Sequence, residues 1–285
     1  MISAAAGVAR IARERPLRRG RRVLLLVAVA TLLVVVLFPF AWMVQMSFRT
    51  SDDIFGYDLL FAPTLENYRA LWVGTFPGSF VNSVAAGTIS TALSLLIGVP
   101  AAYSLSRWRF RSRRGVALWI LATRMAPPIA FTIPFFLAYR YVGLLDTIAG
   151  LVVIYMTFNL ALVVWMMQSF FDGVPRALEE AAWIDGCGVW GAFRRIALPL
   201  AAPGLAATAV LCFIFSWNDF FYALILTRTN AMTAPVAIVN FMQYEGWEWG
   251  KIAAGGTLVM LPVVVFTFFV RAYLVRGLTA GGVKD

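Results

Sequence analysis

The sequence contains no histidine. That absence excludes Ser-His-Asp and Cys-His catalysis, the HExxH metalloprotease pattern and every His-ligated metal site. Only two cysteines occur, Cys187 and Cys212, and they lie in no CxxC pattern. Neither a disulfide framework nor a thiolate metal centre is expected from them. A GxxxxGK[ST] loop is also missing: Gly250-Lys251 is followed by Ile252 and preceded by no phosphate-cradling glycine run. The chain is therefore expected to hold no ATP, metal or other cofactor itself. Charge is scarce as well, at 13% of 285 residues, against about 25% in soluble domains. A water-soluble fold does not fit that figure.

Apolar residues make up 61% of the chain, and their distribution is informative. No Asp, Glu, Lys or Arg occurs in 23–48, 70–106, 147–171, 196–218 or 252–270, and a sixth stretch, 115–139, is broken only by Arg124. Each is about the ~20 residues that a helix needs to cross hydrocarbon. The expectation is an all-α polytopic membrane protein with six transmembrane helices, over 23–46, 79–105, 115–139, 147–171, 203–226 and 252–274. Pro127, Pro128 and Pro134 predict a kink or break in the third. Such a break survives in a bilayer only where protein or a water-filled cavity covers the freed backbone groups.

The net charge of +10 invites a nucleic-acid reading, but its placement gives an orientation. Seven arginines precede residue 23, five lie between the second and third helices, three between the fourth and fifth, and three cations follow at the C-terminus. The alternate loops carry only Arg49, Arg69, Arg140, Arg228 and Lys251. Cytoplasmic loops are enriched in Lys and Arg, so both termini are expected in the cytoplasm, with anionic lipid as the neighbour of the basic loops. No soluble basic surface remains for nucleic acid. The run from Val23 to Met46 is too long for a signal-peptide core and no A-x-A-like site follows it, so it reads as a retained anchor. Residues 1–22 form a basic cytoplasmic tail and 23–285 the membrane domain. Arginine outnumbers lysine by 22 to 2, the composition of a GC-rich bacterial genome.

The segment 172–202 is the longest of the basic loops. Asp172-Gly173-Val174-Pro175 opens a helix, with proline where its missing N–H costs nothing. Leu178, Ala181 and Ala182 recur at helical spacing, Gly186 and Gly188 interrupt, and Trp190 and Phe193 share a face of a second short helix before Pro199 and Pro203. Two short helices with an apolar knob, flanked by Glu179, Glu180, Asp185, Arg194 and Arg195, suit docking of a soluble partner. An interfacial helix on lipid is the other reading, but the acidic residues oppose anionic headgroups.

Glu180-Ala181-Ala182, Gly186 after three residues and Ile196-Ala197-Leu198-Pro199 after nine more fill every position of E-A-A-x3-G-x9-I-x-L-P. The loop thereby resembles the EAA loop of bacterial ABC importer permeases. Asn82-Ser83, Pro100-Ala101-Ala102-Tyr103, Trp217-Asn218-Asp219 and the ending Gly277-Leu278-Thr279-Ala280-Gly281 are similar to carbohydrate importers of the maltose type, in their shorter second permease subunit. The resemblance implies a heterodimer with a second permease, a dimer of ATPase subunits that binds the ATP and Mg, and an extracytoplasmic substrate-binding protein. It implies that Glu180, Ala181, Ala182, Asp185, Gly186, Ile196, Leu198 and Pro199 couple the permease to the ATPase, and that the cargo is a di- or oligosaccharide, or a related polyol or glycerol derivative. The segment 240–250, with Tyr244, Glu245, Trp247 and Glu248, resembles the loop facing the binding protein, and an interfacial aromatic belt is the other reading.

Within the membrane, Arg124 serves either a pathway or an ion pair inside the permease dimer. Trp217, Asn218, Asp219 and Tyr222 offer stacking and hydroxyl-binding groups for a sugar, or polar glue between helices. Asn159 and Gln168 read more readily as packing hydrogen bonds, with Asn159 kept among the pathway candidates. An ion-coupled secondary transporter also uses broken helices but has no use for the 172–202 loop. An intramembrane enzyme without histidine needs a Ser-Lys or Asp-Asp pair, and neither lysine lies mid-membrane.

Overall fold

The computed structural model describes residues 19–56, 61–108, 110–125, 127–243 and 246–280, and their side chains except at 19, 243 and 269–280. The basic tail up to residue 18, Arg109, Tyr244 and Glu245 lie outside the described residues.

The chain divides into two units at Gln45/Met46. The first is most of α1 (Arg19–Ser47). From Val23 to Phe48 it carries no charge, and residues 20–42 are all exposed. The second unit begins with a short 3-10 turn, then α2 (Glu66–Val73), α3 (Phe76–Arg107), α4 (Arg113–Met125), α5 (Thr132–Tyr141) and α6 (Ile148–Asp172). The 172–202 loop holds α7 (Arg176–Ile184), α8 (Val189–Ala192), one π-helical turn at Phe193–Ala197, and α9 (Leu198–Leu200). After it come α10 (Ala202–Trp217), α11 (Phe221–Leu226), α12 (Ala234–Ala237), and α13 (Trp249–Ala280). Between the last two, β1 (Met242–Gln243) pairs antiparallel with β2 (Gly246–Trp247), so the described residues are helical apart from this one minimal strand pair.

Among the described residues, α1, α3, α6 and α13 are each long and apolar enough to cross a membrane. Two further spans arise only if bent pairs are joined: α4 with Pro128–Tyr141 at 89°, and Val189–Leu200 with α10 at 75°. The proline-rich third stretch is thus broken, as its sequence predicts. The fifth differs from expectation, because the helix does not run through 203–226. It stops at Trp217 and restarts at Phe221, since Asn218 closes one helix and Asp219 opens the next.

Small and hydroxylated residues let the long helices approach. α3 lies along α6, α10 packs on both, and α13 packs on α10 and α2. A Cβ at Gly98 of α3 would stand 2.7 Å from Val163 Cγ1 of α6. Ser90 and Ser216 hydroxyls lie 3.3 Å apart, and Asn159 Nδ2 donates to Ser216 Oγ at 2.9 Å. The core falls into three clusters: Val99, Tyr103, Met167 and Phe171 nearest the 172–202 loop, Leu151, Ile154, Tyr155 and Ala223 further along, and Leu71, Phe76, Ala237 and Ala254 around α2.

At the far end a loop, 227–233, is pinned by side chains that hydrocarbon packing alone would not supply. Asn82 Nδ2 donates to the Asn230 and Met232 carbonyls (2.9 and 3.1 Å), and the Ala234 amide donates to Ser83 Oγ (2.8 Å). Asp146, in left-handed backbone at φ 55°, accepts from the amides of Arg228, Thr229, Asn230 and Ala231 at 2.8–3.2 Å. Burial alone would raise its pKa, but these backbone donors hold the carboxyl well below its ordinary 3.8. Asp146→Asn keeps a residue that tolerates this backbone and removes the charge. The amides of Arg228–Ala231 are then expected to exchange about ten-fold faster in hydrogen-exchange mass spectrometry, a modest effect because the site is partly exposed. Because the folded pKa is lowered, the native clamp is complete above pH 3.8 and lost as pH falls further. Equal exchange in the two proteins at neutral pH would discard the clamp.

Candidate functional site

The last turn of α3 aims Tyr103, Ser106 and Arg107, at i, i+3 and i+4, toward the 172–202 loop. Arg107 Nε and Nη2 both reach Glu179 Oε1, at 2.8 and 2.7 Å, and the Tyr103 hydroxyl donates to Glu179 Oε2 at 2.5 Å. The pair is nearly dry, with side chains 7% and 1% exposed. Arg107 Nη2 also donates to the Val174 carbonyl (3.1 Å), Arg176 Nη2 to the Ser106 carbonyl (2.9 Å), and Ser106 Oγ to Asp172 Oδ1 (2.6 Å). Burying two charges is costly, and geometry this well satisfied offsets the cost. The result is a rigid mount for α7.

With Glu179 turned inward, the apolar face of α7 turns out. Leu178 is 46% exposed and Ile184 87%. Glu180, Ala181 and Asp185 are exposed, and Ala182 is half-buried. α7 ends in a Schellman closure: the Gly186 amide donates to the Trp183 carbonyl and the Cys187 amide to that of Ala182. Gly186 takes φ +81°, the left-handed region open to glycine at little cost. Trp190 stacks on Phe193 with centroids 4.9 Å apart. Phe193 and Ala197 anchor the π turn in the core, Ile196 and Leu198 are half-buried, and Pro199 is exposed.

A second feature lies among α4, α5, α6 and α10. A cavity of 470 Å³ is lined by Arg124, Asp219 and Tyr222, with Phe131, Phe135, Phe158, Phe215, Thr123, Pro128 and Thr157. Arg124 stands in the last turn of α4, a helix end that favours a cation. Asp219 reaches the cavity because α10 has stopped, and its Oδ2 accepts the Ala223 amide at 3.1 Å to start α11. Phe158 stacks on Tyr222 (6.4 Å, 15°), and Phe135 meets it edge-on. The other sequence candidates stand elsewhere. Asn159 is wholly buried on Ser216, the buried Trp217 donates its indole N–H to the Val259 carbonyl (3.0 Å), and Asn218 caps α10 through the Ile214 carbonyl (3.0 Å). At the hairpin, Trp247 packs on Trp249 at 4.8 Å and Glu248 pairs with Lys251.

Sequence reasoning treated Glu179 as a flanking charge and passed over Tyr103 and Arg107 as partners. The polar spacing at the end of α3 was the available signal. Phe131, Phe135 and Phe158 carried none, since aromatics are frequent throughout.

Residues 94–280 match the family described as binding-protein-dependent transport system inner membrane component. The trehalose transport system permease protein SugB of Mycobacterium tuberculosis is 39% identical over 87% of this chain and 92% of its own length. The trehalose/maltose transport system permease protein MalG of Thermococcus litoralis is 34% identical over 93% and 97%. Among solved structures, a chain of a bacterial ABC transporter involved in the import of the acidic polysaccharide alginate superposes with a TM-score of 0.75, at 25% identity, over 90% of this chain and 98% of that one.

Removing one member of a buried ion pair costs about 3–5 kcal/mol. Glu179→Ala and Arg107→Ala should each lower the thermal midpoint of the purified protein markedly, and the double variant should fall less than their sum. Exposed Glu180→Ala should stay within about 0.5 kcal/mol of the native stability. Indistinguishable melting of the Glu179 and Glu180 variants would remove the mount from the account.

Proposed function

The chain belongs to the binding-protein-dependent transport system inner membrane component family, and we propose that it is the permease subunit of an ATP-driven ABC importer carrying a carbohydrate. The cargo class follows its relatives, whose names record trehalose and maltose: a di- or oligosaccharide, or a related polyol or glycerol derivative. In this reading the chain lies in the bacterial plasma membrane with six spans and both termini in the cytoplasm. It pairs with a second permease, receives cargo from an extracytoplasmic binding protein, and docks on a dimer of ATPase subunits that bind the ATP and Mg. The chain is not itself an enzyme. Trp247 and Glu248, with Tyr244 and Glu245, face the binding protein.

One observation carries the proposal. α7 buries a carboxylate and exposes Leu178, Ala181 and Ile184, the reverse of a helix stabilised by its own chain. Such a face needs a partner, and an ion-coupled secondary transporter supplies none. The ATPase fills that place: α7 and α8 seat in its cleft, Ala181 and Ala182 allow close approach, and Glu180 meets a basic residue at the rim. When the ATPase dimer closes on ATP, the push on α7 enters α3 through the Arg107–Glu179 pair. Packing of α3 on α6 then carries it to the walls of the cavity at Asp219 and Tyr222, where the pathway opens to the other side.

Glu180→Ala and Gly186→Val should reach the membrane yet lose uptake by roughly thirty-fold or more, about 2 kcal/mol of lost coupling. A Cβ at Gly186 meets no neighbour of this chain within 4 Å, so within the chain its cost is the strained φ. Gln168→Ala, just before the loop, is the control and keeps most activity. Uptake is read in proteoliposomes of the complete complex, with ATPase co-purification alongside. Transport by both variants at the control's level would defeat the coupling assignment.

A further inference from the structure

Arg124 is a cation whose neighbours leave it incomplete. Its guanidinium lies over the Phe215 ring at 4.6 Å, but among the described residues Nη1 is buried with no hydrogen-bond partner. No carboxylate of the described residues stands in ion-pair range of it. Asp219 shares the cavity but is turned to other work. Its carboxylate accepts the Ala223 amide at 3.1 Å. The acid has a donor in its own wall, whereas the guanidinium Nη1 has no acceptor among the described residues. A half-buried guanidinium with an unpartnered N–H is costly in hydrocarbon until an anion completes it, and a neutral hydroxyl offsets less of that cost.

The rest of the wall specifies the remainder of the ligand. Phe135, Phe158 and Tyr222 stand together in the lining that also holds Arg124, giving apolar faces for a sugar ring, and 470 Å³ is within the usual span of small-molecule sites, about 300–1,000 Å³. We propose that this cavity binds an anionic sugar, its carboxylate or equivalent acid held by the fork of Arg124 and its ring set against Phe135, Phe158 and Tyr222. The proposal rests on the importer reading and narrows its cargo. Arg124 is then a selectivity element: the planar fork matches a carboxylate in two-point contact, which a lysine cannot reproduce.

The test uses the complete complex in nanodiscs without the binding protein, so that only the membrane site is probed. Two disaccharides that differ in one group, cellobiose and its acid counterpart glucuronyl-β-1,4-glucose, are titrated by calorimetry, with the galacto pair as a second set. The acid sugar of at least one pair should bind about ten-fold tighter or more than its neutral partner. Arg124→Gln should erase that gap and Arg124→Lys should keep part of it. Equal affinities within both pairs, no measurable binding, or a gap that survives Arg124→Gln would overturn the proposal. So would displacement of the probe by inorganic phosphate alone, which marks a bare anion site, or loss of the second permease from the Arg124→Gln complex, which marks an ion pair between subunits. The importer reading is judged separately, by ATP-dependent uptake of neutral disaccharides with the binding protein present. That assay can succeed where the acid preference fails.

Discussion

In hydrocarbon a peptide group has no water to turn to, so every N–H and C=O must be satisfied within the protein. This constraint explains both where the helices are unbroken and where they are not. α3 and α6 run for 32 and 25 residues, and Ser90 of the one and Asn159 of the other meet at Ser216 of α10. The breaks after Met125 and after Trp217 fall beside the same cavity. At the second break the freed groups are met locally: the Asn218 side chain and amide take the Ile214 carbonyl, and the Asp219 carboxylate takes the Ala223 amide. An irregular backbone is tolerated there because it has been capped, and one of the caps, Asp219, brings a carboxylate to the cavity wall.

The same logic, applied where hydrocarbon ends, makes the 172–202 loop a fixed part rather than a flexible connector. Loops facing water can leave polar groups to solvent. This one turns Glu179, Asp172 and the Val174 carbonyl to α3 instead. Its aromatics follow, with Phe193 on Tyr103 and on Phe171. What stays outside is the apolar and small-residue face together with Glu180, Asp185, Arg194 and Arg195.

Much of the helical framework was legible because a single physical quantity, the absence of charge over about twenty residues, sets it. α3 and α6 depart from the expected spans by only a few residues at each end, whereas α13 runs on to Ala280. The restart at Phe221 was missed because Asp219 was read as a charge inside a helix. An Asn-Asp pair just ahead of Phe221–Leu226 is also a cap pattern, and hydropathy alone cannot separate the two. Glu179 was hidden for another reason. It sits beside the glutamate of the sequence pattern, and its inward orientation is set by an arginine 72 residues earlier. Asp146 was invisible on the same ground, since its donors lie 82–85 residues away.

α3 is held at both ends by side chains rather than by packing alone, at Asn82 and Ser83 on one side and at Arg107 on the other. Between Ser83 and Arg107 the axis measures about 36 Å at 1.5 Å per residue. A helix pivoting at the far clamp is a lever, and a tilt of about 5° moves its near end by roughly 3 Å over that length. In the coupling proposed for α7, the stroke required is therefore no larger than a side-chain contact. Pro100, which removes one backbone bond seven residues before the mount, is the point where the lever can flex instead of turning as one piece.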